Sequence, residues 1–230
     1  MTRDDPFSPY RPLIEAAIGR ELDALSFSYA ELLREEIGVA GVAGGPDGLL
    51  AAPALCLLTV DASGGRMEAA APAAAGLALL EATAQLFKGL AKGESLAGAW
   101  GFPRALNAGD AMFALAQSSL LRSTESEPEE ARALAAAGLF DLACRRLSQA
   151  LYVALDGLTP PVADPQAPLL ALALALGALL GGAESTTADL LAAAADRPAL
   201  REALAAAPLS AGAKARLVEA LDYLAEVAAP

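Results

Sequence analysis

Three carboxylates near the end of the sequence have a spacing that could bind a metal ion. Glu219, Asp222 and Glu226 stand at positions i, i+3 and i+7, so a helix places them on one face. Carboxylate oxygens are the ligands that Mg²⁺ and Ca²⁺ prefer. A solvated acidic stripe on the outer face of a helix has the same pattern, and we favour that second interpretation.

Other reactive side chains lack the neighbours that catalysis requires. Ser118, Ser119 and Thr83 have no imidazole base to activate them, because the 230 residues contain no histidine. Lys88 and Lys92 lie one helical turn apart and could hold an anion. Lysines that pack their stems and expose their charges need no such ligand, and we favour this simpler interpretation.

The cysteines and glycines also point away from a cofactor. Cys56 and Cys144 are far apart in sequence and fit no metal spacing, so we expect reduced, buried thiols. The glycine-rich stretch Gly44–Gly48 has neither a lysine nor a following serine or threonine, which argues against a phosphate-binding loop. We therefore expect no metal and no cofactor.

Composition indicates helices. Hydrophobic residues make up 55% of the chain and aromatic residues only 5%, with alanine and leucine dominant. Alanine and leucine favour helices, whereas strands favour β-branched and aromatic residues. The net charge of −12, from 28 acidic and 16 basic residues, repels phosphate backbones, so nucleic acid is not an expected partner.

The hydrophobic spacing predicts one all-α domain over residues 1–230, with an extended lead-in at 1–12 and a tail of short helices at 184–230. Pro72 is expected to begin a helix, and Asn107 and Ser210 are expected to cap two others. The expected helices are Leu13–Ile37, Leu49–Val60, Pro72–Lys92, Asn107–Leu121, Ala131–Asp156, an apolar helix ending at Leu180, Thr187–Ala195, Pro198–Ala206 and Ser210–Val227.

One uncharged run, Pro165–Ala183, approaches the roughly 20 residues that span a bilayer. Its flanks, Asp164 and Glu184, are acidic, which favours a buried core helix over a membrane span. The start of the sequence, Met1–Asp5, does not resemble a secretory signal. We therefore expect no membrane span and a cytoplasmic location.

The run Trp100–Ala116, WGFPRALNAGDAMFALA, is the most distinctive in the chain. It resembles the W-G-x-x-x-A-I-N-A-G-D-x-L/M-F-A-L-A segment of the trans-type polyprenyl diphosphate synthases. Pro53–Leu58, Gly64-Gly65, Ala143–Leu147 and Leu176–Gly182 follow the order of that family too. The resemblance covers roughly residues 7–183 and implies the isoprenoid synthase fold, truncated towards the C-terminus.

The resemblance also implies a chemistry that this sequence does not support. Members of the family hold Mg²⁺ with two D-D-x-x-D motifs and bind diphosphates with lysines and arginines. Beyond Ala183 the second aspartate motif has no counterpart, and the tail diverges from the family. The positions that correspond to the family's cations, carboxylates and G-Q-x-x-D motif hold Leu49, Leu50, Ala52, Gly89, Leu90, Gly93, Leu151 and Ala154.

The resemblance therefore predicts a pseudoenzyme connected to isoprenoid biosynthesis, a dimerising or accessory, regulatory subunit. Its partner would be a second copy or an active prenyl synthase, contacted through Asn107, Met112 and Leu115. One alternative is a protein that binds an isoprenoid or another hydrophobic ligand in the former chain pocket. A second alternative is residual prenyltransferase activity. The predicted ligand pocket comprises Leu86, Phe87, Leu90, Phe113 and Leu151.

Overall fold

The computed structural model describes residues 5–26, 30–31, 33–34, 50–92, 101–124, 130–155 and 167–227. Within these ranges the chain forms a 3₁₀ helix at Ser8–Tyr10, nine α-helices whose bounds are given below and a further helical stretch that includes residues 30–31 and 33–34, with no strand. The α-helices are α1 (Arg11–Asp23), α2 (Ala51–Ala62), α3 (Met67–Lys92), α4 (Phe102–Thr124), α5 (Glu130–Leu155), α6 (Ala167–Leu180), α7 (Ser185–Ala192), α8 (Arg197–Ala206) and α9 (Ala211–Val227).

Helix α3 lies at the centre of the fold and packs most extensively against α4. The two helices run antiparallel, because Gly76 of α3 approaches Ala116 while Phe87 of α3 approaches Gly109. A Cβ atom on Gly76 would lie 2.8 Å from the Ala116 carbonyl oxygen. The absence of a side chain at Gly76 therefore allows the two backbones to pack closely.

A second close contact joins α2 and α6. A Cβ atom on Gly177 would lie 2.5 Å from the carbonyl oxygen of Cys56 and 2.5 Å from Cβ of Thr59. All residues of α6 are buried, and α6 has only 14 residues, which agrees with the predicted core helix. The longer α3 could cross a membrane by length and composition, but 78% of its most apolar window is buried inside the fold.

The N-terminal prediction needs two corrections. Residues 8–10 form a 3₁₀ helix and α1 begins at Arg11, so the lead-in is not wholly extended. Helix α1 then ends at Asp23, and residues 30–31 and 33–34 are helical again, so the expected single helix Leu13–Ile37 is interrupted after Asp23. Apolar residues continue at helical spacing beyond this point, which is why the sequence pattern does not reveal the break. Tyr29, Leu32 and Ile37 of the expected helix lie outside the described residues.

The starts of α3 and α4 also differ from the predictions. Helix α3 begins at Met67 and contains Pro72, which was expected to start it. Pro72 cannot donate the backbone hydrogen bond that a helix interior normally contains. The extra helical turn before it buries Ala70 and Ala71 in the core, and this burial offsets the lost hydrogen bond. Helix α4 begins at Phe102, so Asn107 lies within the helix and is not its N-cap. Its side chain is exposed.

The last three helices pack onto the same hydrophobic cluster, which includes residues from Phe7 to Leu224. Ser210 caps α9 as predicted, since its Oγ accepts a hydrogen bond from the Ala213 N–H at 3.1 Å. Asp196 caps α8 in the same way, accepting from the Ala199 N–H at 2.8 Å. Such caps satisfy backbone donors that the first turn leaves unpaired.

Candidate functional site

The start of α2 carries two of the positions at which the resemblance implies phosphate-binding cations. Leu50 precedes the first helical residue and is 6% exposed, and Ala52 is 2% exposed. Both side chains belong to the hydrophobic core. Neither can donate a hydrogen bond or offer a charge to a diphosphate. Leu49 lies outside the described residues.

The last turns of α3 carry the positions of the first aspartate motif. Gly89 and Leu90 are half-buried, and Leu90 packs against the core. Lys88 beside them is exposed. Because Mg²⁺ needs oxygen ligands, this part of α3 does not fit the metal that the resemblance implies. Gly93 lies outside the described residues, as do the side chains of Leu151 and Ala154 on α5.

Among the described residues, no three His, Cys, Asp or Glu side chains come close enough to share a metal ion. In the row of carboxylates on α9, Asp222 forms an ion pair with Arg201 of α8. Cys56 and Cys144 are buried and unpaired, and burial raises the pKa of each thiol to about 12. They therefore stay protonated and unreactive near neutral pH.

The structure describes four of the five side chains of the predicted ligand pocket, and that of Leu151 lies outside the described residues. Leu86 is 1% exposed, and the Phe87 ring fills the space beside Gly109, where a Cβ atom would lie only 2.4 Å from it. Leu90 and Phe113 are half-buried against the same cluster. The pocket itself stays a prediction.

A cleft of about 480 Å³ lies elsewhere, between the first turns of α5 and α7. Its lining includes Arg132, Glu184, Ser185 and Thr186. None of the residues predicted to line a ligand pocket belongs to this cleft.

The predicted interface residues on α4 have different surroundings. Asn107 is exposed and Leu115 is half-buried, so both have surface to offer a second subunit. Met112 is 0% exposed within the single chain. Its side chain therefore cannot contribute contact area to a partner, and we correct that assignment to a core position.

No protein-family model and no curated protein matches the sequence, but solved structures match the fold. A geranylgeranyl pyrophosphate synthase has a TM-score of 0.67 at 15% identity, covering 89% of this chain and 63% of that one. A polyprenyl synthetase from Streptomyces coelicolor A3(2) has a TM-score of 0.68 at 23% identity, covering 86% and 62%. The chain has the isoprenoid synthase fold.

The chain thus spans less than two thirds of the length of these two synthases. A shorter protein of this fold matches from end to end. The geranyl diphosphate synthase small subunit from Antirrhinum majus has a TM-score of 0.62 at 22% identity, covering 100% of this chain and 96% of that one. The predicted all-α isoprenoid synthase fold is therefore confirmed.

Within this isoprenoid synthase fold, a polar cluster that the sequence did not reveal joins α1, α3 and α4. The Ser119 hydroxyl shares its proton between the Pro72 carbonyl oxygen, at 2.7 Å, and Oε1 of Glu21, at 3.0 Å. Arg122 forms an ion pair with the other oxygen of Glu21, whose side chain is buried. A hydrogen bond to one oxygen and an ion pair at the other offset part of the cost of burying this carboxylate, and the contacts join three helices.

A second buried carboxylate has no such support. Glu81 lies in the middle of α3, and its Oε2 atom is buried without a hydrogen-bond partner. Burial alone raises the pKa of this carboxyl from 4.5 to about 7. One sequence signal could have identified it, because Glu81 is the only charge in α3 between Glu68 and Lys88.

Another polar cluster fastens α9 to the N-terminal segment. Arg216 donates to Asp61 at the end of α2, at 2.6 Å, and to the Tyr10 hydroxyl at 3.0 Å. The hydrogen bond from Arg216 holds the pKa of Asp61 below its usual range, while burial raises the pKa of Tyr10. Phe7 and Tyr223 pack edge to face beside this cluster, with ring centroids 6.0 Å apart.

Proposed function

We propose that this chain is a catalytically inactive protein of the isoprenoid synthase fold that acts as a dimerising or accessory subunit in isoprenoid biosynthesis. The observation that carries the proposal is the apolar or side-chain-free character of Leu50, Ala52, Gly89 and Leu90. These residues occupy the described positions at which diphosphate and metal ligands would be needed.

The chemistry explains why these replacements are decisive. Ionisation of an allylic diphosphate leaves a pyrophosphate with several negative charges, which must be stabilised by cations in a largely apolar cavity. Loss of one preorganised charge-stabilising contact costs about 3 kcal/mol, roughly a hundredfold in rate. The loss of several such contacts would leave no useful activity.

Two neighbours with the same fold support the role of a subunit. One is the geranyl diphosphate synthase small subunit from Antirrhinum majus, described above. The other belongs to a deletion mutant of a mint heterotetrameric geranyl pyrophosphate synthase, with a TM-score of 0.63 at 19% identity, covering 96% of this chain and 95% of that one. The fold therefore occurs in assemblies of unlike subunits, and we propose that this chain is a subunit of such an assembly or of a dimer.

The outer face of α4 supports a helix-to-helix contact. Six of its exposed residues recur at alternating spacings of four and three, the spacing by which two helices pack along a seam. Leu121 in this set is 51% exposed, and Leu106, which is next to Asn107 and outside the set, is 40% exposed. The seam comprises Pro103, Asn107, Asp110, Ala114, Gln117 and Leu121.

Two measurements on the purified protein test the proposal. Incubation with an allylic diphosphate, isopentenyl diphosphate and Mg²⁺ should give no product above a protein-free blank. Light scattering and co-elution should show a dimer or a complex with an active prenyl synthase. Turnover that EDTA abolishes would contradict the inactive assignment, and a monomer that captures no synthase would contradict the subunit role.

A matched pair of variants locates the contact. Leu121→Asp places a charge in the α4 seam and should weaken the assembly. Leu190→Asp introduces the same charge at a residue of α7 that is 39% exposed, and should leave the assembly intact. An equal response of the two variants would show that α4 is not the contact surface.

A further inference from the structure

Helix α3 carries three polar side chains on one face. Glu81, Gln85 and Lys88 stand at positions i, i+4 and i+7, so the helix places them nearly in line, and we call them the polar row. The only other polar side chain between residues 69 and 88 is Thr83. Its hydroxyl donates to the Leu79 carbonyl oxygen at 2.8 Å, so Thr83 is satisfied within its own helix. The polar row has no such explanation.

The polar row lies on the face of α3 that is turned away from α4. Gly76 and Phe87 mark the opposite face, because both approach α4. Glu81 is five residues after Gly76 and six before Phe87, which places it about 120–140° around the helix from each. The contact between α3 and α4 therefore does not cover the polar row.

Burial changes along this face at Glu81. Ala78, one turn earlier, is 1% exposed, and Glu81 itself is 6% exposed. Gln85 and Lys88, one and two turns later, are exposed. Side chains of a helix lean towards its N-terminus, so those of Gln85 and Lys88 lean towards Glu81. Glu81 thus lies at the floor of a face that opens to solvent near the end of α3.

The carboxylate of Glu81 has hydrogen-bonding capacity that the fold leaves unused. Its Oε2 atom is buried without a hydrogen-bond partner. Burial alone raises its pKa, and no cation among the described residues opposes that shift. Glu21, the other buried carboxylate, receives a hydrogen bond from Ser119 and an ion pair from Arg122. A buried carboxylate without such partners lowers stability and indicates a partner from outside the chain.

The charges that are described on the neighbouring helices have other partners. Helix α6 contains no charged residue, and Asp61, the one charge of α2, pairs with Arg216 of α9. Arg122 of α4 pairs with Glu21 of α1. Arg146 of α5 donates to a backbone carbonyl oxygen of α7. A cation that reaches Glu81 must therefore come from a ligand.

We propose that Glu81 and Gln85 form a binding site for a small primary amine, whose ammonium group donates hydrogen bonds to both side chains. A primary ammonium group has three N–H donors and no acceptor. The two side chains offer three acceptor oxygens, two from the carboxylate and one from the amide. Positions i and i+4 of a helix have Cβ atoms about 6 Å apart, so one ammonium group can reach both. The site does not depend on the proposed function.

The surroundings define the rest of the ligand. Leu77 and Ala78, one turn before Glu81, are buried and apolar, which favours a short hydrocarbon chain on the amine. A divalent metal ion is a poorer match, because Mg²⁺ needs about six oxygen ligands. Lys88 at the outer end of the polar row is exposed, so solvent screens its repulsion of the ligand.

The protonation of Glu81 gives this site a characteristic pH dependence. The ammonium group binds the ionised carboxylate, and the free protein holds a proton there below about pH 7. Binding must release that proton to solvent, so affinity should fall about tenfold for each pH unit below 7 and stay constant between pH 7 and 9. The amine remains charged throughout, since a primary ammonium group has a pKa near that of lysine, about 10.4.

Calorimetric titration of the full chain with hexylammonium chloride tests the site, at 150 mM salt to screen the net charge of −12. The wild type should bind one equivalent at pH 8. Glu81→Gln keeps the shape, removes the charge and should bind at least about tenfold more weakly, and Gln85→Met should bind several-fold more weakly. Glu202→Gln, at an exposed carboxylate of α8, is the matched control and should bind like the wild type.

Two further probes test the chemistry of the ligand. Hexanol has the same chain without the charge, and hexyltrimethylammonium has the charge without an N–H donor. Each should bind at least about tenfold more weakly than hexylammonium. Circular dichroism should show the same helix content for Glu81→Gln, Gln85→Met and the wild type.

Three results would overturn the inference. Absence of saturable hexylammonium binding by the wild type would exclude the site, and so would equal affinity of the wild type and Glu81→Gln. Equal affinity for hexylammonium and either of the other probes would exclude a primary amine as the ligand. The assays of turnover and assembly contain no amine ligand, so failure of this site leaves the proposed function standing.

Discussion

Replacement of Glu81 by leucine should stabilise the protein, by an amount that depends on pH. The carboxyl lies inside α3 without a hydrogen-bond partner at Oε2, and it is about 6% exposed. Leucine has a similar volume and no polar atom that needs a partner. An unpaired buried carboxylate is among the most costly groups that a core can contain.

The magnitude follows from the pKa. Burial raises the pKa of Glu81 from its ordinary value of 4.5 to about 7 in the folded chain. The folded state therefore holds this proton more tightly than the unfolded state, and stability falls as pH rises from about 4.5 to about 7. The difference amounts to about 3 kcal/mol, at about 1.4 kcal/mol for each pH unit. Above about pH 7 this loss is complete and constant.

Urea unfolding followed by circular dichroism at pH 5, 6, 7 and 8 measures the effect. Glu81→Leu should exceed the wild type by about 3 kcal/mol at pH 8 and by much less at pH 5. Glu81→Gln should show the same loss of pH dependence with a smaller gain, because its amide remains unpaired. Glu202→Gln, at an exposed carboxylate of α8, is the control and should change little.

Parallel stability curves for the wild type and Glu81→Gln between pH 5 and 8 would refute this reasoning. They would mean that the carboxylate is solvated in the folded chain. A lower stability of Glu81→Leu at pH 8 would refute it too, since it would reveal a favourable interaction of the charged carboxylate.

Three further substitutions test the packing and the polar clusters. Ser119→Ala should lower the free energy of unfolding by about 1–2 kcal/mol, because a buried carboxylate loses a hydrogen bond. The control Ser118→Ala, at an exposed neighbour, should lower it by less than about 0.5 kcal/mol. Equal losses of the two variants in urea unfolding would argue that Ser119 does not bridge the helices. Gly177→Ala should cost about 1–3 kcal/mol because its Cβ atom would lie 2.5 Å from the α2 backbone, while Gly19→Ala, with open space around it, should gain up to about 1 kcal/mol. Thermal unfolding gives both values, and tolerance of Gly177→Ala would contradict the close packing of α2 and α6. Arg216→Ala should cost no more than about 1 kcal/mol near pH 7, because the ion pair is nearly half exposed. Arg216 lowers the pKa of its carboxylate partner on α2, so this cost should shrink as pH falls through that pKa, and a cost that grows in acid would show the opposite linkage.

The sequence alone determined the fold class and most of the helix positions. Alanine and leucine content excluded a sheet, and breaks at glycine and proline separated the helices. The expected helix Ala131–Asp156 lies within one residue of Glu130–Leu155 at each end. The run Trp100–Ala116 carried the resemblance that the solved structures confirmed at the level of the fold. These signals are local, and a single chain segment contains all of the information that they need.

Only the tertiary structure decided which helix faces are covered. The resemblance placed Met112 at an interface, yet its side chain is completely buried within the single chain. Glu81 and Glu21 are both buried acids, but only Glu21 meets a serine and an arginine on another helix. Periodicity indicates which face of a helix is apolar, but it does not indicate which distant side chain will contact that face. Ser119 and Glu21, which form a hydrogen bond, are 98 positions apart in the sequence. The site and the core therefore depend on long-range contacts that no local pattern encodes.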